Sequence, residues 1–397
     1  MGYKYIKDEK VEGKTLVLRA GIDSNVEENE LFEGTRLEKQ AQSIKQLSEK
    51  GAKLVVLGHQ GRRGQENFIS LKQHAKAIEE RIEKEVKLLP WDSDYVSEIK
   101  AMENGSIILM ENVRFNENEE QSFAPEEASK IEWVQKIASV SDMFVQNAFS
   151  VCHRPQPSVV GFAKLLPSFV GPLLEAELKA IEKVDSGLKP AVYVLGGSKL
   201  SDSLSLMQNL FEKGKADKTC VGGLLGELFI KASGKQLGNK DKFFEEKNLN
   251  QFIEQAKSIL SQHPDKIVMP VDVAIMNDYD EREEVMVEEL PKENMVYDIG
   301  METVAEFKGS FKKAKLIVMN GPMGVFEKMD FETGTKKVLN AVSKNRAFSL
   351  VGGGDTELAL HQADFSETDF SHVSLGGKVL LEALLGKELP GLTALQK

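Results

Sequence analysis

Runs of four or five apolar residues recur along this chain, and longer amphipathic stretches separate them. Leu54-Val55-Val56-Leu57 and Ile107-Ile108-Leu109-Met110 are continuous rather than alternating, as expected of strands buried on both faces of a parallel sheet. Strands are predicted at Thr15–Arg19, Lys53–Leu57, Val86–Leu89, Ser106–Met110 and Met143–Asn147. Five more follow at Ala191–Leu195, Lys218–Val221, Ile267–Met269, Leu316–Met319 and Ala347–Val351. Helical patterns fall between most of them, at Leu37–Glu49, Leu71–Glu83, Pro125–Ala138, Leu200–Glu212, Asn248–Gln262, Phe331–Ser343 and Gly376–Leu385. Strand and helix in alternation mean an α/β fold with right-handed crossovers.

The array divides near residues 155–190. Pro155, Pro157, Pro167 and Pro172 cluster there, followed by a helical stretch, Leu173–Val184, and then Ser186-Gly187-Leu188-Lys189-Pro190. A chain of 397 residues exceeds what one hydrophobic core usually supports. The expectation is therefore two doubly wound parallel-sheet lobes joined by a hinge helix.

Ligands of open α/β sheets lie beyond the carboxyl ends of the strands, so the residues that follow each strand carry the functional signal. In the first half these are basic. Gly58-His59-Gln60-Gly61-Arg62-Arg63-Gly64 follows the second strand, Glu111-Asn112-Val113-Arg114-Phe115 the fourth, and Asn147 to Arg154 the fifth; Arg36 opens the first helix. The chain has nine arginines, and seven precede residue 160. Any one arginine is more often a solvated surface charge than a ligand contact. Four basic turns at strand ends in one lobe instead predict a pocket for a small dianion or trianion, which the planar guanidinium fork suits.

The second half has glycines at the same places. Gly196-Gly197-Ser198-Lys199, Gly222-Gly223, Asn320-Gly321-Pro322-Met323-Gly324-Val325-Phe326-Glu327, Gly352-Gly353-Gly354-Asp355-Thr356 and Ser374-Leu375-Gly376-Gly377 each follow a strand or open a helix. A lone Gly-Gly is usually a tight turn. Five such turns suggest a nucleotide with a polyphosphate tail, met by backbone donors and helix starts, with Lys199 as a mobile cation and Asp355 poised for Mg²⁺. The Walker A pattern, the protein-kinase set and the dinucleotide fingerprint are absent.

Other classes are disfavoured. A net charge of −11 argues against nucleic-acid binding. No stretch approaches about 20 uncharged apolar residues, so no membrane span is expected. The charged N-terminal residues do not resemble a signal peptide, which points to the cytoplasm. Cys152 and Cys220 are too few for a disulfide framework and read as packed thiols.

At these turns the chain resembles the phosphoglycerate kinases, over nearly its whole length. The motifs that carry the resemblance are N-G-P-M-G-V-F-E (Asn320–Glu327), G-G-G-D-T (Gly352–Thr356), L-G-G-S-K (Leu195–Lys199), P-V-D-V (Pro270–Val273) and G-K-E-L-P-G (Gly386–Gly391). G-H-Q-G-R (Gly58–Arg62) and E-N-V-R-F (Glu111–Phe115) resemble the archaeal branch. The resemblance implies reversible phosphoryl transfer between Mg-ATP and the carboxylate of 3-phosphoglycerate, by a monomer or weak homo-oligomer whose lobes close on each other. It implies an acid-binding domain at 1–166, completed by the tail 380–397, a hinge helix at 167–188 and a nucleotide domain at 189–379.

Carried over residue by residue, Asp23, Asn25, Arg36, His59, Gln60, Gly61, Arg62, Arg114 and Arg154 would hold the acid. Gly196, Gly197, Lys199, Gly222, Gly223, Asn320, Glu327, Gly353, Gly354, Asp355 and Thr356 would hold the nucleotide, with Glu327 on the ribose and Asp355 on Mg²⁺. Arg36, Lys199, Gly354 and Gly376 would serve catalysis.

Several positions depart from the family pattern. Arg19-Ala20-Gly21-Ile22-Asp23-Ser24-Asn25 replaces R-V-D-x-N, and two registers are open: one puts Gly21 and Asp23 at the functional positions, the other Asp23 and Asn25. N-D-A-F has become Gln146-Asn147-Ala148-Phe149, T-G-G-G has become Leu375-Gly376-Gly377-Lys378, G-P-K-T has become Gly300-Met301-Glu302-Thr303, and a family lysine is Ser203. These changes are expected to gather near the acid substrate. They leave open an ordinary kinase, a paralogue of altered acid specificity, or a nucleotide-binding regulator without catalysis. For Lys378 both a solvent-facing and a cleft-facing side chain are open, solvent being the usual place for a lysine head.

Overall fold

The computed structural model describes residues 2–32 and 34–396. It holds two six-stranded parallel sheets, each in its own compact unit: Met1–Lys179 with Gly386–Lys397, and Ala180–Leu385. The chain passes from the first unit to the second within the helix Pro172–Asp185. The segment from Gly386 rejoins the first unit, where Gly391 N donates to Cys152 O at 2.8 Å. Leu380–Leu385 stays with the second unit, in and just after the helix Lys378–Leu384.

The first sheet runs in the order Lys87–Leu89, Ile107–Met110, Lys53–Leu57, Thr15–Arg19, Met143–Gln146, Ser168–Val170. All five residues of Thr15–Arg19 and all four of Ile107–Met110 are buried, as a sheet covered on both faces requires. The register pairs Arg19 with Leu57 and with Gln146. Arg19, His59 and Asn147 therefore leave the sheet along one edge.

The second sheet runs Ile267–Val268, Lys218–Val221, Ala191–Leu195, Leu316–Asn320, Phe348–Gly352, His372–Ser374. Leu195 pairs with Val221 and Asn320, Asn320 with Gly352, and Gly352 with Ser374. That register lines up the glycine turns at 196, 222, 321, 353 and 376.

Some elements differ from the sequence expectation. Ser168–Val170 adds an edge strand inside the proline cluster, where only four residues separate Pro167 from Pro172. Pro125–Ala138 is two helices, Pro125–Ala128 and Glu132–Ala138, because Ser129 Oγ bonds back to Glu126 O and the chain turns extended at Ile131. Asn248–Gln262 starts as a 3-10 turn, and Gly376–Leu385 becomes helical only at Lys378. A three-stranded antiparallel sheet, Arg282–Met286, Asp272–Met276, Val296–Ile299, was not foreseen. Arg282–Met286 is mostly exposed and charged, so it carries no apolar signature.

Asp272 explains the P-V-D-V motif. It is 2% exposed, and its carboxylate accepts from Glu302 N at 3.0 Å, Thr303 N at 2.7 Å and Thr303 Oγ1 at 2.6 Å. It caps the helix Met301–Phe311, whose N-cap is Gly300. Thus the altered Gly300–Thr303 segment is a helix start tied to the antiparallel sheet of the second unit, and the changed positions do not all gather at the acid pocket. Asp272→Ala orphans these buried donors and is expected to lower stability by roughly 2–3 kcal/mol, read as a drop in the urea midpoint followed by circular dichroism.

Candidate active site

In the first unit, three turns interlock at the edge of the sheet. Glu111 takes Leu71 N and Asn112 N on one carboxylate oxygen, each at 2.7 Å, and Ser70 Oγ on the other at 2.6 Å. Asn112 donates to Gln60 O at 2.8 Å and accepts from Arg114 N at 3.1 Å. Val113 N donates to Gly58 O at 3.0 Å. Gly61 lies at φ +65°, and a Cβ there would meet Asn67 O at 2.2 Å, so only glycine fits. Its amide donates to Asp23 Oδ1 at 3.0 Å, and its carbonyl accepts from Arg114 Nη1.

Around Asp23 these turns gather cations. Arg36 Nη1 donates to Asp23 O at 3.2 Å, and His59 Nε2 stands 4.0 Å from Asp23 Oδ2. Arg114 is buried, with Glu120 Oε1 at 3.9 Å from its Nε. Arg154 is half-buried, and Arg62 is exposed. Burial and then the positive charges of Arg19, Arg114, Arg154 and Arg36 hold the His59 pKa well below the usual histidine value. His59 is therefore neutral among cations, and the concavity is positive.

One predicted ligand has other work, and a second stands on a hairpin. Gln60 is fully buried: its Oε1 accepts from Ser24 N and receives His74 Nε2, while its Nε2 donates to Ser24 O and Asn67 O. It braces the loop from inside, and its side chain is spent. Asn25 opens a hairpin of Asn25–Glu27 with Glu30–Phe32 and is exposed. Asn147 also differs from expectation. It is buried, donates to Gln40 Oε1 and Ser43 Oγ, both at 2.9 Å, and accepts from Leu173 N at 2.9 Å. An amide supplies the donors and the acceptor that this knot needs, so the lost acid leaves no gap.

Three buried residues were missed as members of the site: Arg19, Glu119 and Ser158, each 0% exposed. Arg19 was read as a strand end and the first residue of an altered motif, without a role in the site. Glu119 lies in the polar run Asn116–Gln121, which reads as a solvated turn.

In the second unit the glycine turns pack on one another. A Cβ on Gly196 would lie 2.1 Å from Pro322 O, and one on Gly321 would lie 2.4 Å from Gly196 O. Their amides are occupied: Gly196 N donates to Asn320 O, Gly197 N to Pro322 O, Gly222 N to Leu195 O and Gly223 N to Met323 O. The amides expected as donors at 196, 197, 222 and 223 are thus engaged within the protein, while Gly197 and Gly223 still line a cavity. Thr356 is fully buried, and its hydroxyl accepts from Gly321 N at 2.8 Å, which makes it a brace as well. Asn320 donates to Gly352 O. Gly376 N donates to Ser374 Oγ at 3.1 Å, so that amide too is engaged.

What remains open is a cavity of about 260 Å³ lined by Gly197, Gly223, Leu224, Tyr297, Glu327 and Asp355, among others. Beside it, a smaller pocket brings together Lys199, Ser203, Gly354, Asp355, Gly377 and Lys378. The nine-residue helix Gly354–Gln362 points its start at both, and the first turn-closing bond there is Glu357 N to Gly353 O. The amides of Gly354, Asp355 and Thr356 precede that bond and are the helix's unspent donors. Lys199 is exposed at the N-cap of Leu200–Glu212. Lys378 is 60% exposed with Nζ 3.8 Å from Glu382 Oε1, at the rim of that smaller pocket. Cys152 and Cys220 are buried, and burial pushes both thiols up. Among the described residues no group of three or more His, Cys, Asp or Glu could hold a metal, and no helix is long and apolar enough to cross a membrane.

The family model described as phosphoglycerate kinase matches residues 6–387. The phosphoglycerate kinase of Methanothermobacter thermautotrophicus is 38% identical over 402 residues, covering 100% of this chain and 97% of its own. That of Pyrococcus furiosus is 37% identical over 401 residues, covering 98% and 97%. The crystal structure of the Pyrococcus horikoshii OT3 enzyme matches with a TM-score of 0.92 at 33% identity, over 99% of this chain and 98% of that one. The Coxiella burnetii phosphoglycerate kinase structure matches with a TM-score of 0.82 at 30% identity, over 99% of both.

The buried histidines make stability depend on pH. Burial brings the His74 pKa down to about 4, and its Nδ1 is buried without a hydrogen-bond partner. Both His59 and His74 titrate lower in the folded state than in the unfolded chain, so the unfolded chain takes up protons first. Their contribution is complete above pH 6.5 and is lost as pH falls below it, down to about 4 for His74, each histidine adding up to about 1.4 kcal/mol per pH unit. His74→Gln should flatten the parent's slope by about that amount between pH 6 and 4.5, measured as the difference in urea unfolding free energy.

Proposed function

Because the chain belongs to the phosphoglycerate kinase family, we propose that it transfers a phosphoryl group reversibly between ATP and the carboxylate of 3-phosphoglycerate. The acid is assigned to the first unit and the nucleotide to the second. The observation that carries this reading is the cationic concavity around Asp23, where Arg36, Arg114, Arg154 and a neutral His59 meet. A small acid with a phosphate and a carboxylate is the ligand that such a site fits.

The roles follow from what each group can donate. Arg62, Arg114 and Arg154 are assigned to the phosphate of the acid, and Arg114, buried and already held by Gly61 O, meets it without reorganising. Arg36, tied to the Asp23 carbonyl in the turn after the first strand, is assigned to the carboxylate end. In the second unit, the amides of Gly354, Asp355 and Thr356 receive the nucleotide phosphates at a helix start. Glu327 lines the larger cavity and is assigned to the ribose hydroxyls. Lys199, exposed and on a flexible stem, meets the charge on the group in transfer.

Asp355 lines both cavities, and one carboxylate beside a polyphosphate site fits Mg²⁺, which takes one or two protein oxygens and completes its shell with phosphate and water. When bound there, Mg²⁺ supplies charge neutralisation across the nucleotide phosphates. Without it, Asp355 would repel the same phosphates that the helix start attracts.

A coupled assay with 3-phosphoglycerate and Mg-ATP tests the activity directly; turnover of another carboxylic acid in preference would redirect the assignment. Arg114→Ala is expected to raise KM for the acid by roughly 10- to 100-fold, the loss of a charged hydrogen bond, with KM for ATP within twofold of the parent. Equal weakening of both ligands would sink the division of labour between units. Asp355→Ala should weaken ATP binding about tenfold when magnesium is present and make calorimetric titrations with and without it alike. A parent that binds ATP equally well without magnesium would remove that role.

A further inference from the structure

Beneath the cationic concavity runs a hydrogen-bonded chain that never reaches solvent. Glu119 accepts from Ser158 N at 3.0 Å on one carboxylate oxygen and from Ser158 Oγ at 2.5 Å on the other. Ser158 Oγ in turn accepts from Arg19 Nε at 2.9 Å. Arg19 continues through Nη1 to Ala20 O and Leu57 O, and through Nη2 to His59 Nδ1 at 3.1 Å. Glu119, Ser158 and Arg19 are 0% exposed, and His59 is 4% exposed.

The donor inventory sets a direction along this chain. A guanidinium only donates, so His59 Nδ1 must accept, and the proton of the neutral ring must sit on Nε2. Ser158 receives Arg19 on its oxygen, so its own proton goes to Glu119, and both carboxylate oxygens act as acceptors. The alternative tautomer would set two donors against each other at 3.1 Å. Arg19 cannot turn away to relieve that contact, because Ser158 pins Nε and Ala20 O pins Nη1.

We propose that Glu119, Ser158 and Arg19 are positioning residues that lock His59 in its Nε2–H form, so that the ring offers one fixed, uncharged donor to the anionic acid. The proposal rests on the assignment of the acid to this unit. His59 Nε2 faces the concavity, with Asp23 Oδ2 at 4.0 Å, too far for a hydrogen bond. The charges that face the ring are Arg19 at the end of the first strand, Asp23 in the next turn, Arg36 on the first helix, Arg114 after the fourth strand, and Arg154. Four cations against one carboxylate leave protonation of the ring unfavourable, so the lock holds through the working pH range. The donor is thus set before the ligand arrives, without a proton transfer on binding.

The test uses the full chain labelled with ¹⁵N-histidine. There are six histidines, so the His59 signals are identified as those lost in His59→Gln. Free of ligand, the parent should show a protonated Nε2 and a bare Nδ1, unchanged from pH 8 to pH 5. Ser158→Ala should yield mixed tautomers or a titration within that range. It should also raise KM for 3-phosphoglycerate roughly three- to tenfold, with KM for ATP unmoved. Arg19→Lys keeps the buried charge but cannot span Ser158 and His59, and should shift both readouts in the same direction. A proton on Nδ1 in the parent, or a parent ring that titrates between pH 8 and 5, overturns the proposal, and needs no variant to fold. An unchanged ring in Ser158→Ala overturns it too. A lock that loosens in Ser158→Ala while the acid KM stays fixed upholds the chain and instead removes His59 from the acid site.

Discussion

Parallel pairing obliges strands to finish side by side, and both units of this protein are built on that obligation. Arg19 is in register with Leu57 and Gln146, and Asn320 with Leu195 and Gly352. Whatever residues follow those strands must share one edge, however far apart they are in sequence. The sheets are buried on both faces, so a slip of one residue would turn apolar side chains against the helices on the other side. Hydrophobic burial therefore holds the register, and the register holds the site.

Bringing cations to one edge has a cost, which the structure meets by burying their support. A guanidinium removed from water loses several kcal/mol of hydration unless it is paired and hydrogen-bonded. Arg19 is such a group; burial brings its pKa down to about 10, with Glu119 working against that shift. Glu119, buried likewise, is held up by its own desolvation and drawn back by Arg19 and Ser158. Each is tolerable only because of the other. The pair also ties the first strand to the segment at 157–161, so the electrostatic support of the pocket and the packing of the unit are one arrangement.

Much of this was legible in the chain itself. Continuous apolar runs found nearly all the strands of both sheets, since burial on two faces is what writes such runs. The basic turns were legible because arginines beside glycines at strand ends have few other uses. What escaped needed three dimensions. Glu119 and Ser158 are polar residues in polar surroundings, and nothing local says that they are buried. Ser168–Val170 is too short and too close to prolines to carry a period. The glycine turns show a related limit: Gly196, Gly197, Gly222 and Gly223 look like backbone donors, yet their amides are spent on neighbouring loops, and a Cβ at Gly196 or Gly222 would strike Pro322 or Met323. Local sequence shows that a backbone is free to approach something, but not whether the something is a ligand or another loop.

The two units consequently offer anions different kinds of partner. The first has buried or half-buried arginines and a locked imidazole, each held by protein groups behind it, which suits an acid whose charge is the same before and after binding. In the second, the glycine amides are engaged, leaving helix-start donors, an exposed lysine and an exposed aspartate. Fixed donors aimed at an anion cost no reorganisation as charge moves, whereas a mobile cation can strengthen its contact during transfer, and either lowers the barrier where it binds the transition state more tightly than the ground state. The first unit thus contributes pre-set charge, Arg36 included, and the second an exposed cation that can follow charge as it shifts. Ser203 and Lys378 fit the same division. Both line the small pocket beside Lys199, where Ser203 is uncharged and Lys378, with Nζ 3.8 Å from Glu382 Oε1, adds a second exposed cation.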